Sequence, residues 1–373
     1  LPSIGGLKLN WQWTDANASA EEPDTRRYRY DPDRRTPEED DFIFSLRNDS
    51  NQRRWSELED ESVSWSVDFA LPLDFNTDAV DFTIRTGLNS WDKTRDSSIR
   101  RFTFFSRGPI GSDLDTLRLP SLEDIIFDET IDPDGWQLEE VTNSTDAYTG
   151  LQNIDAWHVG LDLAISDAWQ FSAGFRDETS YLETTTSNIF DPDGEPIITT
   201  QSTDDIFPYG TVTWILGDHQ FRAGYSETIN RPDFKELSPS QYRDPLLDRF
   251  VQGNPNLLPA FITHYDIRWD YYFNPGEFIS FGVFLKEFDM PIETVILASA
   301  GARLTTFSNA ETAENFGWEF EFYKTFDFLD DWWDWGEIWG NFYLNNNYAW
   351  IESEITLPED TGIQTNANRP LQG

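Results

Sequence analysis

The sequence predicts an all-β protein, an antiparallel transmembrane β-barrel of which about eleven strands are present. Three observations support this prediction. Apolar and polar residues alternate with period two, short and long connections alternate along the chain, and aromatic residues gather at the short connections. A period of two places successive side chains on opposite faces of a strand. The apolar spacing that is typical of helices is almost absent.

The composition excludes several classes of protein. Of 373 residues, 68 are acidic and 27 are basic, and the net charge is −41. This balance argues against a nucleic-acid partner, because phosphate binding needs clustered Lys and Arg. No apolar run is long enough for a transmembrane helix, and the absence of cysteine excludes disulfides and thiolate metal sites. Aromatic residues form 16% of the chain, which is typical of strands and of surfaces that meet membrane or sugar.

The stretch at 158–178 is a clear example of the strand pattern. Every second residue is apolar over 159–165, a turn-like Ser-Asp-Ala follows, and the alternation resumes over 169–175. The same pattern predicts strands near 7–17, 53–73, 79–107, 150–165, 169–187, 204–215, 219–230, 261–273, 277–290, 311–327 and 337–352.

The connections between these strands alternate in length. The short ones are 74–78, 166–168, 216–218, 274–276 and 328–336, and the long polar ones are 18–52, 108–149, 188–203, 231–260, 291–310 and the part from 353 onward. A transmembrane β-barrel has tight periplasmic turns and long outer loops, which explains this alternation. Each apolar stretch covers about nine residues, close to the ~9–11 that a tilted strand needs to cross hydrocarbon.

Aromatic residues beside the short connections predict an interfacial girdle. They are Trp169, Phe171, Tyr271, Tyr272, Phe273, Phe326, Phe328, Trp332, Trp333 and Trp335. The opposite face of the stronger strands carries Asp68, Asp81, Arg85, Asp162, Arg176, Asp266, Arg268, Asp270, Glu319 and Glu321. A soluble β-sandwich or solenoid would also alternate, but nearly thirty residues without a turn signal at 79–107 exceed the ~3–10 residues of ordinary strands.

Several segments resemble those of a known protein family, both in sequence and in their order along the chain. They are EEPDTRRYRYD at 21–31, RDSSIRRFTF at 95–104, FRAGYSETINRPDFKELSP at 221–239, GNPNL at 253–257, ITHYDIRWDYYFNPGEFISFGVFLKEFDMPIE at 262–293, FSNAETAENFGWEFEFYK at 307–324 and NRPLQG at 368–373. Together they resemble the β-barrel of TonB-dependent outer-membrane receptors. The resemblance implies a parent barrel of about 22 strands, plugged by an N-terminal domain, that imports scarce nutrients with energy from the inner membrane.

We expect residues 1–373 to form one partial barrel domain without a plug. We identify neither a plug nor a TonB-contacting segment in these residues, and at Gly373 the resemblance implies a further strand. About eleven of 22 strands would make an open partial barrel, so we expect the chain to be a fragment.

The resemblance implies a receptor in the outer membrane of a Gram-negative bacterium. Its outer loops and lumen would bind a siderophore, a vitamin or an oligosaccharide. The expected partners are outer-membrane lipid, this ligand and a TonB-type energy-coupling protein, which acts through the absent plug. Two alternatives stay open: a passive porin or adhesin barrel, and a secreted acidic β-protein that binds or hydrolyses carbohydrate.

The sequence contains no motif that indicates catalysis. His158, His219 and His264 are far apart in sequence, and no Walker loop, GxSxG or HExxH motif occurs. We therefore expect no enzyme activity, no catalytic residue, no cofactor and no metal site. A long loop between NRPDF and GNPN carries the candidate ligand residues, which are Tyr242, Arg243, Asp244 and Arg249.

Overall fold

The computed structural model describes residues 6–35, 41–47, 51–74, 80–191, 193–244, 249–298, 303–330, 338–358 and 368–369. The strands are β1 (Lys8–Arg27), β2 (Tyr30–Pro32), β3 (Phe42–Phe44), β4 (Gln52–Asp74), β5 (Val80–Ser106), β6 (Trp136–Glu140), β7 (Ala147–Ile165), β8 (Trp169–Ser187), β9 (Ile197–Leu216), β10 (His219–Asn230), β11 (Gln241–Asp244), β12 (Arg249–Gln252), β13 (Ala260–Asn274), β14 (Glu277–Asp289), β15 (Ile292–Ala298), β16 (Arg303–Asn309), β17 (Thr312–Thr325), β18 (Tyr343–Thr356) and β19 (Asn368–Arg369). The α-helices are α1 (Leu114–Leu117), α2 (Leu122–Ile125) and α3 (Phe234–Leu237), and short 3-10 helices cover Pro109–Ser112, Asp128–Thr130, Asp327–Leu329 and Trp339–Asn341.

One large antiparallel sheet forms the wall of the molecule. Its strand order is β1-β4-β5-β7-β8-β9-β10-β13-β14-β17-β18-β19, and β6 pairs with β5. Neighbours in this order are also neighbours along the chain, apart from strands that lie within the long loops. In the described part of the chain β1 and β19 do not pair with each other, so the sheet is open. The predicted partial barrel with its eleven long strands is confirmed.

Several strands extend beyond their predicted ends. β1 continues to Arg27, ten residues past the predicted end at 17, and β9 begins at Ile197 instead of 204. The register shows that these extensions are still paired, as in Glu21 opposite Glu57. Sequence periodicity missed them because their side chains are mostly polar on both faces, while the backbone ladder needs no apolar residue.

The two faces of the sheet differ sharply in chemistry. On one face an aromatic row crosses seven strands in register, through Trp169, Trp214, Phe221, Trp269, Phe281, Phe320 and Tyr348. Trp169 and Trp214 stack with their ring centroids 5.5 Å apart. Ile267 points out of the same face and is 67% exposed. We call this the lipid face. The opposite, polar face carries Asp68, Arg85, Asp162, Arg176, Asp266 and Arg268, and we call it the lumen face.

The short connections at 166–168, 216–218 and 274–276 are tight turns beside the aromatic row. The predicted bounds of the connection at 328–336 were wrong, because β17 ends at Thr325 and β18 begins at Tyr343 instead of 337, with 3-10 helices at Asp327–Leu329 and Trp339–Asn341 between them. Gly217 and Gly276 adopt positive φ angles of 59° and 81°. Glycine takes this conformation without steric cost, as two-residue hairpins require. Of the predicted girdle residues, Trp332, Trp333 and Trp335 lie outside the described residues. None of the described helices has the length and apolar character needed to cross a membrane.

The long connections contain structure that sequence periodicity did not predict. A second sheet has the order β11-β12-β16-β15 and is built from 231–260 and 291–310, which were predicted to be polar loops. Its β12 and β16 pair in parallel although they are far apart in sequence. We call this the loop sheet. A separate apolar cluster of Phe44, Leu117, Ile125 and Trp136 orders the loop after β5.

Candidate functional site

The segment NRPDFKEL after β10 fastens the long loop to the lumen face. Arg231 forms an ion pair of 2.6 Å with Glu178 of β8, and both side chains are largely buried. Asp233 accepts a hydrogen bond of 3.1 Å from Arg95 of β5. The carboxylate of Asp233 also accepts from the backbone N–H of Lys235, which caps α3. The charged residues of this segment therefore hold α3 against two separate strands.

Phe234 is the apolar anchor of the same segment. Its side chain is 2% exposed and lies over Gly150 of β7. A Cβ atom at Gly150 would stand 2.6 Å from the ring, so only glycine leaves room for it. The charged groups of Lys93 and Arg95 lie 5.7 Å and 5.5 Å from the ring centroid, which adds cation–π attraction.

Two further familiar segments, GNPNL and FSNA, meet at this anchor. Asn254 is the donor in two hydrogen bonds: its backbone N–H donates to the carbonyl of Glu236 at 2.6 Å, and its Nδ2 donates to the carbonyl of Phe307 at 2.9 Å. Asn309 donates from Nδ2 to the carbonyl of Leu258 at 2.8 Å and accepts from the N–H of that residue. Residues from three distant parts of the sequence thus hold the loop sheet in one position.

A cavity of about 270 Å³ lies between this loop and the lumen face. Its apolar lining comes from Ala20, Leu58, Ile99, Tyr148 and Tyr242. Arg54, Arg95 and Lys235 bring three cations to it. Two acids also line it: Glu22, which is bound to Arg54, and Glu57. These residues belong to β1, β4, β5, β7, α3 and β11, so the cavity exists only because the loop folds inward.

The buried charged side chains near the cavity are paired with specific side chains of opposite charge. Arg95 is 11% exposed and donates to Asp60 at 2.5 Å and 2.6 Å. Arg101 and Asp146 pair at 2.8 Å with 3% and 0% exposure, and Arg101 also donates to the carbonyl of Gln241 on β11. Burial raises the pKa of the Glu236 carboxyl in α3. Arg95 and Arg101 of β5 therefore each form bonds to the long loop as well as ion pairs: Arg95 donates to Asp233 and Arg101 to the carbonyl of Gln241.

The structure places one predicted ligand residue at the cavity. Tyr242 lines it from β11. Arg243 lies on β11 opposite Phe250, and Asp244 pairs in register with Arg249 of β12. The side chains of Arg243, Asp244 and Arg249 lie outside the described residues, so their role stays a prediction.

No sequence pattern marks Arg54, Arg95 and Lys235 as cavity residues. Only the strand register and the inward fold of the loop bring them together. The signal available in the sequence was weak: Arg54 and Arg95 are basic residues in strands of a strongly acidic chain. His158, His219 and His264 lie on three different strands. In the described part of the chain no three His, Asp or Glu side chains are grouped as a metal site requires.

Comparison with solved structures shows the fold. The ferric citrate transporter FecA in its unliganded form is similar over 96% of this chain and 42% of its own length, with a TM-score of 0.57 and 11% identity. The siderophore receptor PiuA from Acinetobacter baumannii is similar over 97% and 46%, with a TM-score of 0.53 and 12% identity. The copper transporter OprC is similar over 94% and 46%, with a TM-score of 0.51 and 12% identity. The chain spans less than half the length of each of these proteins.

The sequence comparisons show the family. No curated protein gives a significant match. The family described as outer membrane protein beta-barrel family matches residues 121–369, which is most of the chain. This family match confirms the predicted outer-membrane β-barrel and the outer membrane as its location. The solved structures bear out the barrel fold that the resemblance to TonB-dependent outer-membrane receptors implies. The chain belongs to the outer membrane protein beta-barrel family.

Proposed function

We propose that the complete protein is an outer-membrane receptor for active transport. It binds a scarce solute at the outer end of the lumen and imports it with energy from the inner membrane through a TonB-type protein. The observation that carries this proposal is the loop sheet, which is fixed to the lumen face by Arg231, Asp233 and Phe234. Proteins with the same fold include a ferric citrate transporter, a siderophore receptor and a copper transporter.

Binding without catalysis fits the residues of this site. The cavity combines apolar side chains with cations that are already paired to carboxylates, which suits recognition of a solute. We therefore propose a siderophore, vitamin or oligosaccharide as cargo and no reaction on it.

Energy-dependent uptake separates this proposal from a passive porin or an adhesin. A strain that lacks the complete gene should lose growth on one scarce nutrient source and regain it with the gene. Uptake of that nutrient should stop when the TonB-type protein is deleted or a protonophore is added. Uptake that continues unchanged after both treatments would indicate a porin, and loss of surface attachment without a nutrient defect would indicate an adhesin.

A further inference from the structure

We propose that the cavity beneath Tyr242 binds the carboxylate end of a solute whose adjoining body is apolar. The proposal rests on the proposed receptor function and specifies the chemistry of its cargo. It starts from the contrast between this cavity and the rest of the molecule. The chain has a net charge of −41, yet three cations against two acids, Glu22 and Glu57, line this one space.

The cavity walls suit an apolar body better than a sugar ring. Leu58 and Ile99 come from neighbouring strands, and Tyr148 lies beside them with 7% exposure. Tyr242 covers them from the loop side. A sugar would need hydrogen-bonding groups around its ring, whereas these walls offer mainly hydrocarbon and aromatic surface.

Two cations at the cavity have binding capacity left for an anion. Arg54 donates from one Nη atom to Glu22 and its side chain is 22% exposed, which leaves its other Nη atom for a ligand. Lys235 is exposed and forms no ion pair with the described part of the chain. Arg95, in contrast, is occupied by Asp60 and Asp233. One N–H donor and one ammonium group can satisfy the two oxygens of a carboxylate.

The remaining charges favour a single negative charge on the ligand. Glu22 is bound to Arg54 and offsets part of its charge, so a phosphate dianion would meet more repulsion than a carboxylate. The volume of about 270 Å³ is below the ~300–1,000 Å³ of sites that enclose a drug-sized ligand. The cavity therefore takes one end of a larger solute.

Paired probes test this chemistry on the complete protein in detergent. We expect N-acetyl-leucine to bind by isothermal titration calorimetry at least about tenfold more tightly than the neutral N-acetyl-leucinamide, because only the acid can pair with Arg54 and Lys235. Galacturonate tests the other source of a carboxylate, a sugar acid, and should bind more weakly than N-acetyl-leucine.

Variants locate the binding and separate it from folding. Arg54→Gln and Lys235→Gln should each weaken N-acetyl-leucine about tenfold and leave the amide unchanged. The control Arg222→Gln removes a 45% exposed arginine on the lumen face away from the cavity and should have no effect. Equal binding of acid and amide, no binding of either, or tighter binding of galacturonate would overturn the inference. Energy-dependent uptake by the same protein would then still support the receptor function.

Discussion

Arg101 and Asp146 are nearly without solvent contact, with 3% and 0% of their side chains exposed. Removing one partner of such a pair leaves an uncompensated charge and costs about 3–5 kcal/mol. We expect Arg101→Met in the complete protein to lower the denaturant midpoint accordingly and to loosen β11, since Arg101 also donates to the carbonyl of Gln241. The double variant Arg101→Met/Asp146→Leu should regain much of the loss, because an apolar pair needs no partner. A wild-type midpoint for the single variant would contradict this role.

Glu236 makes the attachment of α3 sensitive to pH. Its carboxyl accepts from the N–H of Asp233 at 2.9 Å, and burial raises its pKa above the ordinary value. A raised pKa in the folded loop means that the stabilisation is complete below the unfolded pKa and is lost as the pH rises through the folded pKa. We expect hydrogen-exchange protection of 231–239, corrected for intrinsic rates, to decline over that range.

Glu236→Gln provides the matched test of this pH dependence. The amide oxygen can still accept from Asp233, but the side chain no longer ionises. Protection of the loop should therefore become independent of pH over the same range. A variant that keeps the wild-type pH profile would assign the effect to another group.

The candidate site was only partly predictable at the level of single residues. Tyr242 was found because its loop lies between two familiar segments. Arg54 and Lys235 are 181 positions apart in sequence, and no local pattern links them. Their proximity depends on the β4–β5 register and on the position of α3, which are tertiary properties.

Gly150 determines whether α3 can pack against the sheet. A methyl group at this position would collide with the buried ring of Phe234. We expect Gly150→Ala to release α3 and raise hydrogen exchange throughout 231–259, with an overpacking cost of about 1–3 kcal/mol. Gly224→Ala is the matched control, because its added Cβ would have no neighbour nearer than 3.8 Å. Equal exchange in both variants would show that the anchor does not depend on this contact.

β13 presents alternate residues to lipid and to the lumen. Ile267 faces lipid and is 67% exposed in the structure, while Asp266 faces the lumen. We expect Ile267→Arg to destabilise the complete protein by about 2–4 kcal/mol if the site is close to the bilayer midplane, because an arginine there loses hydration. Asp266→Arg introduces the same side chain on the wet face and should cost far less. Folding yield into lipid vesicles over a urea series measures both, and equal losses would contradict the assignment of faces.

The strands were predictable because lipid imposes a strict alternation on each of them. That constraint acts residue by residue, so the pattern at 158–178 was sufficient to identify β7 and β8. The loop sheet is held instead by contacts such as Asn254 to Phe307 and by the parallel pairing of β12 with β16. Such contacts join distant segments and leave no period in the sequence.

The large sheet is open and has a lipid face and a lumen face, and the loop sheet is attached to the lumen face. An open sheet in hydrocarbon leaves backbone groups unpaired at its edges, each at a cost of several kcal/mol. Tests of stability and binding therefore need the complete protein, in which we expect β1 and β19 to pair with further strands. In the complete protein we expect this wall to separate lipid from an aqueous lumen.

Spin labels on β13 can measure this separation of lipid from lumen. This chain has no native cysteine, so single cysteines at positions 264–269 can each carry a nitroxide once any cysteine elsewhere in the complete protein is replaced. In bilayers, labels at 265, 267 and 269 should collide mainly with oxygen, which concentrates in lipid, and labels at 264, 266 and 268 mainly with a water-soluble nickel chelate. We predict collision rates that alternate with period two, with the odd-numbered positions in lipid. Rates without alternation, or with the even-numbered positions in lipid, would contradict the assignment of the two faces.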